Sequence, residues 1–189
     1  MNKHTLLTLI FITLLSFTMQ SHANSWKQDR IREGNSEIKI DYRISKLKEN
    51  NDKQTKIEYE LNSIQPISVE QCEALLLDIK SHRVFTDDKE SKLIKTIDQD
   101  NFLIYYFTDT PWPMKNVDAV LSMSREKDEA GIHFYLKATP DLHPLQKVKR
   151  TKQYNSEYHC LYIDDNKSHI RISFNSIPAI KIPKWMLNA

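Results

Sequence analysis

The chain has 189 residues and carries 27 basic against 25 acidic side chains, a formal net charge of +2. Because nucleic acids are bound through a clustered basic excess, this balance excludes the electrostatic signature of a nucleic-acid-binding protein. Only two glycines are present, Gly34 and Gly131, so glycine-rich phosphate-binding loops are excluded as well. The length is typical of a single domain with a sizeable core.

The first 23 residues are typical of a secretory signal. Lys3 provides a positive start, 6–17 is an apolar stretch, and Ser21-His22-Ala23 is a small-x-small cleavage pattern. Because a bilayer span needs about 20 apolar residues, a cleaved signal is favoured over an uncleaved anchor. We therefore expect export to the periplasm or secretion after cleavage near Ala23, with one domain at 24–189.

Apolar and polar side chains alternate over 37–45 and 56–64, which predicts two half-buried strands. Ser68-Val69-Glu70-Gln71 has the pattern of a capping box, and the apolar positions behind it mark one face of a helix. The segment 82–90 is predicted to be irregular.

Seven further strands are predicted at 93–98, 102–108, 119–125, 132–139, 147–154, 158–163 and 169–175, most of them joined by polar turns. This order favours an α+β protein with one long antiparallel meander that curls around a helix or a cavity. Pro111 and Pro113 end a strand on either side of Trp112. The basic run at 147–152 is interpreted as the solvent side of a strand, with contact to anionic lipid as the alternative.

The chemistry of an active site is not visible in the sequence. The histidines lack metal-binding spacing, no Gly-x-Ser-x-Gly turn occurs, and the paired carboxylates fall in predicted turns. We therefore expect a non-enzymatic protein without a metal or cofactor. Cys72 in the predicted helix and Cys160 in a predicted strand could form a disulfide or be two small buried apolar residues.

Five stretches follow one another along the chain: Trp26 with 37–43, then 67–78, Thr110-Pro111-Trp112-Pro113 with Asp118, Val148-Lys149-Arg150, and 182–188. In this order they resemble the START lipid-transfer domains of the helix-grip superfamily, which also includes polyketide cyclases. In that family the motif around the Pro-Trp-Pro corner usually has an arginine before the aspartate. Here Val117 occupies that place, so the sequence provides Asp118 with no neighbouring ion-pair partner.

The resemblance implies a curved antiparallel sheet with a helix after its first strands, gripping a C-terminal helix around a tunnel for one lipid. The last stretch starts such a helix, and the sequence ends after about two turns, so we expect it to be truncated. A partner, a second copy or a membrane could then cover the opening, and Trp185, Met186 and Leu187 could dock on it.

The implied partner is a lipid or other apolar small molecule, bound for transfer or sensing, with a transient membrane contact. The alternatives are a cyclase-like or hydrolase-like enzyme, for which His133 and Asp118 are the candidate groups, or an interaction-only protein. The predicted lining residues could equally be ordinary core. They are Tyr106, Leu121, Met123, Phe134 and Leu136, with Trp112 near the mouth.

Overall fold

The computed structural model describes residues 25–33, 36–49 and 52–183, which form one ten-stranded sheet and two short α-helices. The predicted signal at 1–23 and nearly all of the predicted C-terminal helix lie outside these residues. The strands are β1 (Lys27–Glu33), β2 (Ser36–Glu49), β3 (Asp52–Gln65), β4 (Glu90–Thr96), β5 (Asn101–Thr108), β6 (Val117–Lys127), β7 (Gly131–Ala138), β8 (Lys149–Arg150), β9 (Gln153–Asp164) and β10 (Lys167–Ile177). The helices are α1 (Val69–Leu77) and α2 (His82–Thr86).

The strand order across the sheet is β1-β2-β3-β10-β9-β7-β6-β5-β4, with every neighbouring pair antiparallel. The last strand therefore lies beside β3 and joins the two halves of the meander. The two-residue β8 lies off this path and pairs in parallel with the start of β6. This large antiparallel sheet with few helices confirms the α+β class.

The two faces of the sheet follow from the alternation of side chains along each strand. We call the face that packs against α1 the inner face; it carries Ile104 of β5, Leu121 of β6 and Phe134 of β7, all with no exposed surface. The opposite, outer face carries a smaller cluster that contains Tyr105 and Val120. Most of the buried apolar side chains thus lie on the inner face of the sheet.

Helix α1 begins as its sequence predicts. The Ser68 side chain accepts a hydrogen bond from the Gln71 amide at 3.2 Å, and the Gln71 side chain accepts one from the Ser68 amide at 3.3 Å. This reciprocal capping box satisfies two amides that the first turn of a helix leaves without partners. The predicted helix start is confirmed.

Three details of the sequence interpretation are wrong. The segment 82–90 is irregular only at 87–89, because a 3₁₀ turn (Ile79–Ser81) leads directly into α2 at 82–86. The strand predicted at 147–154 is reduced to β8, where Arg150 binds an aspartate on β6, and β9 begins only at Gln153. Strand β1 was not predicted, since charged and polar side chains dominate it.

Candidate functional site

A small apolar cavity lies between α1 and the inner face, where β3, β10 and β9 are neighbours. Its free volume is about 50 Å³, whereas pockets for small molecules are about 300–1,000 Å³. The side chains of its walls therefore occupy nearly all of the space between α1 and the sheet. It is lined by Leu61, Ser63, Gln65, Ile67, Cys72, Leu75, Leu76, Phe85, Tyr158, Cys160, Ile170 and Ile172.

The cavity wall contains one polar group without a partner. Gln65 is 1% exposed, and its Nε2 donates to the Ser63 hydroxyl at 2.6 Å. Because that hydroxyl donates in turn to the Glu37 carbonyl at 2.9 Å, it must accept from Gln65, which fixes the orientation of the amide. The Gln65 Oε1 is left buried and unpaired among the described residues, at a cost of about 1–3 kcal/mol.

Four tyrosines occupy the inner face at or beside the cavity; three are buried and Tyr154 is half-buried. They stand on β3, β5 and β9, and Tyr59 stacks on Phe174 with ring centroids 4.7 Å apart. Burial raises the pKa of each hydroxyl, because a phenolate would have to give up its hydration. All four are therefore neutral hydroxyls at physiological pH: Tyr59, Tyr106, Tyr154 and Tyr158.

Tyr106 is tied to a buried histidine at the start of α2. The His82 Nδ1 lies 2.6 Å from the Tyr106 hydroxyl, and its Nε2 lies 2.8 Å from the Leu76 carbonyl. Since a carbonyl can only accept, Nε2 carries the proton and Nδ1 accepts from the tyrosine. Burial lowers the pKa of His82 to about 4, so the ring is neutral and both nitrogens are occupied.

The sequence-predicted lining residues lie on the same face as the cavity but on the other half of the sheet. Tyr106, Leu121, Met123, Phe134 and Leu136 are all buried in the main core, on β5, β6 and β7. They are not among the residues that line the cavity between α1 and β3, β10 and β9. The lining prediction thus remains a prediction.

Trp112, predicted near the mouth, is 90% exposed at the tip of the turn between β5 and β6. Sequence reasoning missed Gln65 and the α1 side chains as lining residues. The capping box at Ser68 indicated α1, and no local signal indicates which strands it covers.

Asp118 has an ion-pair partner that its neighbours in sequence do not supply. Arg150 of β8 contacts both of its oxygens, with Nε 3.0 Å from Oδ1 and Nη2 2.7 Å from Oδ2. The two side chains are 2% and 1% exposed. The absence of a neighbouring arginine therefore does not leave this aspartate unpaired: the parallel β6–β8 bridge brings Arg150 directly beside it.

The two groups that an enzymatic function would use do not reach the cavity. Along β6 and β7, the inner-face positions are occupied by Ala119, Leu121, Ile132 and Phe134, so Asp118 and His133 alternate to the outer face. This placement counts against the enzyme alternative. Within the described ranges, no group of three or more His, Cys, Asp or Glu side chains is arranged to hold a metal ion.

No protein-family model and no curated protein matches the sequence, whereas solved structures do match the fold. A STAR-related lipid transfer protein (fragment 25-204) from Xanthomonas axonopodis is 23% identical, with a TM-score of 0.66, 87% of this chain covered and 89% of that one. Human STARD10 is 18% identical, with a TM-score of 0.64, covering 86% and 65%. Human StAR-related lipid transfer protein 5 is 14% identical, with a TM-score of 0.57, covering 97% and 86%.

These likenesses confirm that the chain has a START-like fold, as the resemblance in its sequence predicted. Among the described residues, there is no helix with the length and apolar character needed to cross a membrane.

Proposed function

We propose that this chain is an exported, non-enzymatic domain that binds one lipid or similar apolar molecule between α1 and the inner face of its sheet, for transfer or sensing. The observation that carries the proposal is the apolar cavity under α1 in a START-like fold. The similar proteins are lipid transfer proteins by name. The domain occupies residues 24–189, and the exported form should begin at Asn24, which N-terminal mass spectrometry would test.

Ligand entry requires α1 to move, because the free volume of about 50 Å³ is far below that of a lipid. The sheet is held by its ladders of backbone hydrogen bonds, whereas α1 has nine residues and is too short to be stable by itself. Leu75 and Leu76 are only half-buried at the cavity edge. Displacing α1 opens the cavity and exposes an apolar wall, and burial of the incoming ligand against that wall offsets the loss of the α1 packing.

The ligand carries a hydroxyl group at the end that reaches Gln65. A buried amide oxygen without a partner is costly, and a ligand hydroxyl that donates to Oε1 removes that cost. A hydrocarbon without a donor, or a carboxylate that can only accept, leaves the Gln65 Oε1 unpaired and does not remove that cost. Neutral lipids with one hydroxyl should therefore bind more tightly than their methyl ethers, and Gln65→Leu should abolish the difference.

Native mass spectrometry with extraction of bound small molecules, on protein purified without detergent, tests the binding function. We expect a stoichiometric lipid-sized adduct. Ile170→Trp fills the cavity and should remove the adduct, whereas Ile64→Trp, at an exposed position of β3, should retain it. A well-folded wild type that never carries or takes up an apolar molecule would refute the proposal.

A membrane contact is proposed at the end of the sheet where the turn after β5 and the loop before β8 meet. Trp112 and Leu145 are 90% and 77% exposed, and Leu142 is also exposed. The two segments end at the same bridge, Val117 to Lys149. Exposed apolar side chains of this kind insert between lipid headgroups.

The charges around these apolar tips favour an anionic membrane. Lys115 follows Trp112 in the turn, and Lys147, Lys149 and Lys152 are exposed along the second segment. Each such lysine near an anionic surface contributes about 1 kcal/mol of attraction. The three lysines of the basic run, without the buried Arg150, would thus have the alternative role of contacting anionic lipid.

Cosedimentation with vesicles tests this contact. Wild type should bind vesicles that contain phosphatidylglycerol and not those of phosphatidylcholine alone, and Trp112→Ala should bind at least several-fold more weakly. Ile97→Ala changes an exposed side chain at the opposite end of β5 and serves as the control. If Trp112→Ala and Ile97→Ala bind the vesicles equally well, the turn between β5 and β6 takes no part in the membrane contact.

A further inference from the structure

Two buried cysteines from different parts of the chain lie together in the cavity wall. Cys72 on α1 and Cys160 on β9 are 3% and 2% exposed, and both are free thiols in this structure. Both line the cavity. Their side chains are close enough for each thiol to change the ionisation of the other.

The position of Cys72 is fixed by a third side chain. Its Sγ lies 3.4 Å from the Ser168 hydroxyl of β10. Cys160 pairs with Ile170 on that strand, so Ser168 is its diagonal neighbour on the inner face. The middle of α1 is therefore held directly above the position from which Cys160 projects.

We propose that Cys72 and Cys160 form a disulfide that locks α1 onto the sheet, and that the state of this bond decides whether the cavity can open. The bond joins α1, which forms one wall of the cavity, to the wall built from central strands. With the thiols reduced, α1 is held by packing and by non-covalent contacts such as Cys72–Ser168 at 3.4 Å and the half-buried ion pair Glu73–Arg125 at 2.8 Å. The consequence for ligand entry rests on the proposed function, whereas the bond itself does not.

The redox step has a defined balance. The two thiols lose two electrons and two protons, an S–S bond forms, and a disulfide donor such as oxidised glutathione is reduced to two thiols. Both thiols are buried in the cavity wall, so a disulfide donor in solution cannot reach them while α1 is packed on the sheet. Oxidation therefore takes place during folding or while α1 is displaced.

The test refolds the full chain in a buffer of oxidised and reduced glutathione. After alkylation in denaturant, the expected product has no free thiol, a mass 2 Da below the reduced chain, and a cross-linked pair of peptides containing both cysteines. Cys72→Ala and Cys160→Ala should each keep one alkylated thiol. Two free thiols in the refolded wild type would overturn the proposal.

Hydrogen exchange of the α1 amides tests the lock without any ligand. We expect these amides to exchange at least ten-fold more slowly in the oxidised protein than after reduction, with unchanged exchange in β6. Exchange in Cys72→Ala should not respond to redox conditions. Equal α1 exchange in the two forms would overturn the lock even if the bond forms. A protein that locks when oxidised but takes up no lipid even after reduction would refute the proposed function and leave the disulfide proposal intact.

Discussion

Replacing Arg150 by methionine should be among the most damaging single changes outside the cavity. The guanidinium has five N–H groups, and all of them are used: two on Asp118 and three on the carbonyls of Pro140, His143 and Pro144. Arg150→Met leaves the Asp118 carboxylate buried without a counter-charge. It also releases the loop that connects β7 to β8.

The magnitude follows from that burial. Removing one partner of a buried ion pair costs about 3–5 kcal/mol, because the remaining charge has lost both water and its partner. With a urea slope of about 2 kcal/mol per M, the unfolding midpoint should fall by roughly 1.5–2.5 M. The double variant Asp118→Leu/Arg150→Met removes both charges and should recover much of the loss.

Urea unfolding followed by circular dichroism provides the assay, and an exposed ion pair provides the control. Lys89 and Asp109 are 3.0 Å apart with side chains 63% and 50% exposed, so Lys89→Met should cost less than about 1 kcal/mol. An Arg150→Met variant that is as stable as Lys89→Met would refute the reasoning. So would a double variant that is no more stable than Arg150→Met.

Three further predictions concern the core. His82 is neutral in the folded protein, with a pKa of about 4 against an ordinary 6.5. Its contribution to the free energy of unfolding is therefore complete above pH 6.5 and is lost as the pH falls toward 4. Wild type should lose about 2 kcal/mol of stability between pH 7.5 and pH 5 from this group, and His82→Gln should lose correspondingly less in urea titrations at the two pH values. Tyr106→Phe takes the donor away from the His82 Nδ1 and should cost about 1–3 kcal/mol in the same assay; a neutral change would mean that the bond contributes nothing. At Gly131, where φ is +153°, an added Cβ would lie 2.1 Å from the Cys160 carbonyl oxygen, so Gly131→Ala should destabilise by at least about 2 kcal/mol while Glu129→Ala stays near wild type.

Local patterns predicted most of the secondary structure. The alternation in β2, the capping box of α1 and the prolines that end β5 each depend on a few neighbouring residues, so the sequence displays them directly. The local patterns gave wrong predictions where the conformation depends on residues far away in the sequence. The strand expected at 147–154 shortens to β8, where Arg150 binds Asp118, a residue 32 positions away in the chain, and α2 is stabilised by His82 and Phe85 inside the core.

The candidate site was the least predictable part. Met123 and Phe134 were predicted to line a lipid cavity; they lie on the inner face, away from the cavity under α1, and the lining prediction stays a prediction. Their distance from the cavity depends on where α1 crosses the sheet. That crossing is set by side chains far apart in sequence, such as Cys72 against Ser168.

The amino-acid sequence by itself determined the antiparallel meander and the start of α1 after β3, because strand, turn and capping signals act over a few residues. Only the tertiary structure decided that Gln65 keeps an unpaired oxygen in a cavity wall, that Asp118 has a buried partner, and that Cys72 meets Cys160. Each of these depends on the order of strands in the sheet. Strand order is a property of the whole chain, since it arises from pairings such as β3 with β10 that no local pattern specifies.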